Sequence, residues 1–128
     1  MYIMDELISE NRLQAAEILE KAADLYRSET VGWCQGAWTD GDEDEQFLSV
    51  CAEGALLLAS GFSVGEIEIL SDTGVSDWAK HHRWNAARME LHTHLNASVH
   101  GWNDHHERTK QDVIDAMEAT AKDLRNGQ

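Results

Sequence analysis

The densest apolar pattern in the chain lies between Phe47 and Ser60. Phe47, Cys51, Ala55 and Leu58 share one side of a helix, and Leu48, Ala52, Leu56 and Ala59 share another. A helix that is apolar around most of its circumference is enclosed by its neighbours. The pattern therefore predicts a central buried helix over residues 47–60, with the rest of the chain wrapped around it. Gly54 falls in its middle, where glycine costs about 1 kcal/mol relative to alanine. The compensation expected there is a second backbone passing closer than a Cβ would allow. Gly61 supplies the left-handed stop after the last turn.

Upstream, Ala15, Ala16, Leu19, Ala22, Ala23 and Tyr26 recur at three-and-four spacing, which predicts a helix from Ser9 to Tyr26 packed closely on another helix. Ser9 is its expected N-cap, with Asp5 as the alternative. Thr30 to Trp38 reads as a loop. It holds Trp33 and Trp38, and tryptophans in a loop are expected to fold onto the core with their indole N–H groups bonded. Asp40 to Glu45 is an acidic run. It fails as an EF-hand calcium loop, because the closing twelfth position falls on Cys51 instead of Glu.

Downstream, Ser63-Val64-Gly65-Glu66 is a capping box opening a short helix through Leu70. Ser76 or Asp77 caps a long helix to about Val99, with Trp84, Ala87, Leu91, Leu95 and Val99 as its apolar stripe and Trp78 at the entry. Gly101 to Asp104 reads as a turn. Thr109, followed by Asp112, caps a last helix bearing Val113, Ile114, Met117, Ala121 and Leu124, and Asn126-Gly127 ends it. The expectation is an all-α, single-domain orthogonal bundle of about five helices.

Composition adds one sharp feature. The 128 residues carry a formal net charge of −14, and it is uneven. Between Ser28 and Trp78 there are eleven carboxylates and no Lys or Arg, which accounts for −11. The remainder holds thirteen acidic against ten basic residues, or −3. A field of this sign repels nucleic acid and anionic lipid and attracts basic surfaces. No apolar run approaches the ~18 residues of a membrane span, and the start of the chain lacks a basic leader, so a cytoplasmic protein is expected. Cys34 and Cys51 are expected as reduced thiols.

Three pieces carry a family resemblance. They are Ala22-Ala23-Asp24-Leu25 leading to Gly32-Trp33-Cys34-Gln35-Gly36, then Cys51-Ala52-Glu53-Gly54-Ala55-Leu56, then Trp102-Asn103-Asp104 followed by Thr109 and Asp112-Val113. In this order the chain resembles the domain-of-unknown-function family 6197, small proteins of actinobacteria and their phages. The resemblance runs from about Gln14 to Ala121, and the histidine-rich stretch from Lys80 to His100 lies outside the pattern. It implies a cytoplasmic helical domain of phage origin and brings no reaction and no catalytic residues.

Three chemistries compete for the remaining residues. A thiol enzyme would pair Cys34 with His100, His105 or His106 as base, oriented by Asn103 or Asp104. Against it, free cysteines commonly act as small apolar fillers. A metal site would need histidines at helical spacing. Within the long helix His81-His82 and His92-Thr93-His94 do not share a face, and Glu90 with His94 is the one carboxylate–histidine pair at i,i+4. No metal and no cofactor are therefore expected.

The third is an anionic face of Asp40, Asp42, Glu43, Asp44, Glu45, Glu66 and Glu68 that docks on a basic host or phage protein, or imitates a phosphate backbone. Ordinary solubility is the competing explanation of the same charge. Trp33, Cys51, Gly54, Trp102, Asn103 and Thr109 are read as structural, with the Asn103-Asp104 turn held by its own backbone bonds. The expected function is non-enzymatic binding of a macromolecular partner.

Overall fold

The computed structural model describes residues 2–40, 48–67 and 78–127. It is an orthogonal bundle of helices around a buried central one. In chain order the elements are α1 (Tyr2–Arg27), β1 (Gly32–Trp33), β2 (Thr39–Asp40), β3 (Ser49–Val50), α2 (Ala52–Ala59), α3 (Trp78–Leu95), α4 (Val99–Asn103) and α5 (Lys110–Arg125). A further helical turn covers residues 64–67. Among the described residues no helix is long and apolar enough to cross a membrane.

The central helix behaves as its pattern requires. Every residue of α2 except Leu58 is buried, and the helix lies against α1, α3, α4 and β3. Its start differs from the expected span of 47–60. Ser49 and Val50 form a strand, and the helix begins at Ala52 behind an extended Cys51 whose Sγ accepts from the Gly54 N–H at 3.5 Å. Strand pairing wins at these positions because both flanks supply partners. β1 pairs with β3 in parallel, with Gly32 opposite Ser49, and β2 pairs with it antiparallel, with Asp40 opposite Ser49. The segment from Thr30 to Trp38, expected as a loop, thus contributes the first strand of a three-stranded sheet.

Tyr26 joins the sheet to α1. Its ring is fully buried and its hydroxyl donates to the Val50 carbonyl at 2.7 Å. Burial pushes this phenol far above its ordinary pKa. The buried stripe of α1 (Ala15, Ala16, Leu19, Ala22, Ala23 and Tyr26) is the expected one. The helix itself is longer than expected at both ends, so neither Ser9 nor Asp5 caps it. Its small residues let it run against α5, where Arg125 binds both carboxylate oxygens of Glu20 (2.9 and 2.6 Å) and Arg27 meets Glu118.

Two corrections fall in the C-terminal half. The long helix does not reach Val99. It ends at Leu95, Asn96 takes a left-handed φ of 53°, and Ser98 caps a separate helix, α4, by accepting from the Gly101 N–H. The expected turn over Gly101 to Asp104 is therefore the last turn of α4 and its cap. Trp78 stands at the start of α3 as expected, with its ring edge to face on His81, and is 74% exposed. The capping boxes are as predicted. Thr109 Oγ1 accepts from Asp112 N–H (3.1 Å) while Asp112 accepts from Thr109 N–H (3.0 Å), and Ser63 and Glu66 exchange the same pair.

Candidate ligand cleft

The site is assembled around Asn103, the last residue of α4, whose side chain is fully buried. Its Oδ1 accepts from the Trp33 indole N–H (2.7 Å) and from the Ala52 N–H (3.0 Å). Its Nδ2 donates to the Cys34 carbonyl (3.1 Å) and to Asp104 Oδ1 (3.0 Å). An asparagine side chain has two donors and two acceptor lone pairs, and here all four are used. One residue thereby fixes the sheet loop, the start of α2 and the end of α4 against each other. This differs from the self-contained Asx turn expected at Asn103-Asp104, because three of the four partners are 51 to 70 residues away.

Neighbouring bonds reinforce the junction. Gln35 Nε2 donates to the carbonyls of Asn103 (2.9 Å) and His105 (2.8 Å), and Asp104 Oδ1 accepts from the Gly36 N–H (2.9 Å). Trp102 is held by Arg108, whose guanidinium lies 3.9 Å from the ring centroid and whose Nε donates to the Trp102 carbonyl.

A cleft of about 490 Å³ opens beside this junction, between the loop after β1, the first turn of α2, α3 and α4. Trp38 and Trp84 form its aromatic wall, edge to face with centroids 6.1 Å apart. Arg88 lines it with its guanidinium 5.3 Å from the Trp84 centroid, braced by Asn85 Oδ1 at 2.6 Å. Glu53 lies in the lining although the residue is only 7% exposed. Its Oε1 stands 3.3 Å from Nδ1 of His100, whose own side chain is 70% exposed at the rim. Asp104 supplies a second carboxylate. A buried carboxylate is retained only with partners, and a cleft with fixed charges of both signs is suited to orienting a polar ligand.

The thiol constellation does not come together. Cys34 Sγ donates to the Ala37 carbonyl at 3.6 Å, and its thiol is pushed up to about 11 by burial, with Asp40 and Asp104 adding to the shift. His100 faces Glu53, while His105 accepts from the Glu107 N–H and stacks on His106. Cys51 caps α2, and burial takes its thiol up to about 12. Both thiols are held in the unreactive protonated form at neutral pH. Among the described residues no three His, Cys, Asp or Glu side chains are grouped to hold a metal ion.

Of the proposed anionic face, Asp42, Glu43, Asp44, Glu45 and Glu68 lie outside the described residues. Asp40 is exposed at the end of β2. Glu66 is tied to the Ser63 N–H and to Lys80 Nζ (3.3 Å), which together hold its carboxyl below the usual range. Glu53 is turned into the cleft. Sequence reasoning missed the cleft because Trp38, Glu53, Trp84 and Arg88 come from separate segments. One signal was present: two of the motif pieces, at Cys51-Ala52-Glu53 and Trp102-Asn103-Asp104, flank it.

The fold and the cleft define a small orthogonal helical bundle with a ligand-sized, mixed-charge pocket beside a buried asparagine junction. The chain belongs to the Family of unknown function (DUF6197), whose model matches residues 10–123. No curated protein and no solved structure matches it.

Proposed function

We propose that this chain is a cytoplasmic, phage-encoded binding protein that works through the cleft between Trp38, Glu53, Trp84 and Arg88. The observation that carries this reading is Glu53. A carboxylate on a side chain only 9% exposed is costly to keep for solubility; the first turn of α2 favours its charge, and among the described residues its one ionic contact is His100. Its placement between an aromatic wall and an arginine is the composition of a ligand pocket, and about 490 Å³ falls within the usual range of roughly 300–1,000 Å³. The test is a thermal-shift screen of small metabolites. A ligand at 100 times its Kd adds about 2.7 kcal/mol to stability, a rise of several degrees. Stabilisation of the wild type that is lost in Glu53→Gln supports the reading. Compounds that stabilise the wild type, Glu53→Gln and Trp38→Ala equally would contradict it.

A second reading rests on the charge. Eleven carboxylates without a Lys or Arg between Ser28 and Trp78 favour docking on a basic protein, with the exposed Asp40 and the acidic run after it as the contact. Binding of this kind would weaken steeply between ~50 and ~500 mM salt, since exposed charges reach only about 8–10 Å at physiological ionic strength. Neutralising Asp40, Asp42, Asp44 and Glu45 would lower the on-rate more than it raises the off-rate. A partner indifferent to both changes would remove this reading.

A further inference from the structure

The geometry points to a planar nitrogen heterocycle of the guanine type as the occupant of the cleft, an inference that rests on the cleft reading above. Four features of the lining converge on it. Glu53 presents a carboxylate with room for about four donors, and His100 faces only Oε1. Its natural complement is a pair of adjacent N–H groups. Arg88 presents donors only; one N–H of Nη2 goes to Asn85, the buried Nε has no partner among the described residues, and its other donors are satisfied only by acceptors.

Charge narrows the class. A simple cation would meet Arg88, and a simple anion would meet Glu53 and Asp104. A neutral ring with a donor edge and an acceptor edge meets neither conflict. The half-buried indole of Trp38 supplies the apolar contact on which a base stacks, with the buried Trp84 edge to face behind it. Guanine carries a ring N–H beside an exocyclic amine, and next to them a carbonyl and a ring nitrogen that both accept; arginine is the usual partner of that second edge. Adenine and cytosine place an acceptor where the ring N–H would have to face Glu53. The volume leaves space for an attached sugar.

The test is calorimetric titration of the full chain with guanosine, inosine, adenosine and cytidine, each variant having first been checked for a cooperative melt. Guanosine should bind one to one. Inosine, which lacks only the exocyclic amine, should bind about tenfold or more weaker, as should guanosine to Glu53→Gln. Arg88→Lys keeps the charge and the stem but loses the planar fork, and should weaken guanosine several-fold; it serves as the test if Glu53→Gln does not fold. Guanosine binding no tighter than inosine, or unchanged in the folded variants, overturns the inference. If another compound binds in a Glu53-dependent way and guanosine does not, the inference falls while the cleft reading stands. If no compound in the metabolite screen depends on Glu53, both fall.

Discussion

The backbone carbonyl of Trp38 crosses α2 at Gly54 so closely that a Cβ there would overlap its oxygen, and would stand 3.2 Å from both the carbonyl carbon and Val50 Cβ. The same oxygen accepts the Cys51 N–H at 3.1 Å, so it cannot simply swing away. Gly54→Ala gains about 1 kcal/mol of helix propensity, but overlap with backbone in a packed core costs about 1–3 kcal/mol or more. We expect net destabilisation, visible as a Tm lowered by a few degrees, and a larger loss for Gly54→Leu. An unchanged or raised Tm for both would contradict the close approach.

Asn103 should matter for stability more than its place at the end of a short helix suggests. Asn103→Ala leaves the Trp33 indole and the Ala52 N–H without their acceptor, at about 1–3 kcal/mol for the buried Ala52 donor and less for the part-buried indole. Asn103→Asp keeps that acceptor but sets a carboxylate against the Cys34 carbonyl and Asp104. Denaturant unfolding should show both variants destabilised by about 2 kcal/mol or more. A loss under about 0.5 kcal/mol for each would sink the junction.

The thiols give a pH dependence of definite sign. Cys34 and Cys51 are raised from an ordinary value of 9.0 to about 11 and about 12, so the folded state holds their protons where the unfolded chain has released them. Their stabilisation is complete below pH 9 and is lost as pH rises towards 11–12. Alkylation of the native protein at pH 7 should be slow at both positions, slower at Cys51, and fast after unfolding. Rapid modification of Cys34 below pH 7 would restore the thiol enzyme as the better account.

How much of this was legible in the sequence follows from the range of each interaction. The burial of α2, the Gly54 crossing and the Thr109 capping box are written in local pattern, and the chain shows all three. The strands are only two residues long, too short for an alternation to register, so β3 was absorbed into the apolar run that precedes α2. The α3–α4 break was hidden because Val99 continues the spacing of Trp84, Ala87 and Leu91 across a gap made by one left-handed Asn96. Asn103 looked like a turn residue because nothing in the sequence relates it to Trp33 or Ala52. The cleft was invisible for the same reason: its charges and rings meet only in three dimensions.

The most direct test of the cleft is to follow the five indole N–H signals by two-dimensional NMR during titration with the nucleosides and with any compound that stabilises the protein. Trp38 and Trp84 line the cleft, Trp33 is bonded within the Asn103 junction behind it, and Trp78 stands exposed outside it. The account predicts saturable shifts of the Trp38 and Trp84 signals, an unmoved Trp78, and loss of the response in Glu53→Gln. Shifts confined to Trp78, or a bound ligand that leaves Trp38 and Trp84 unmoved, would contradict it.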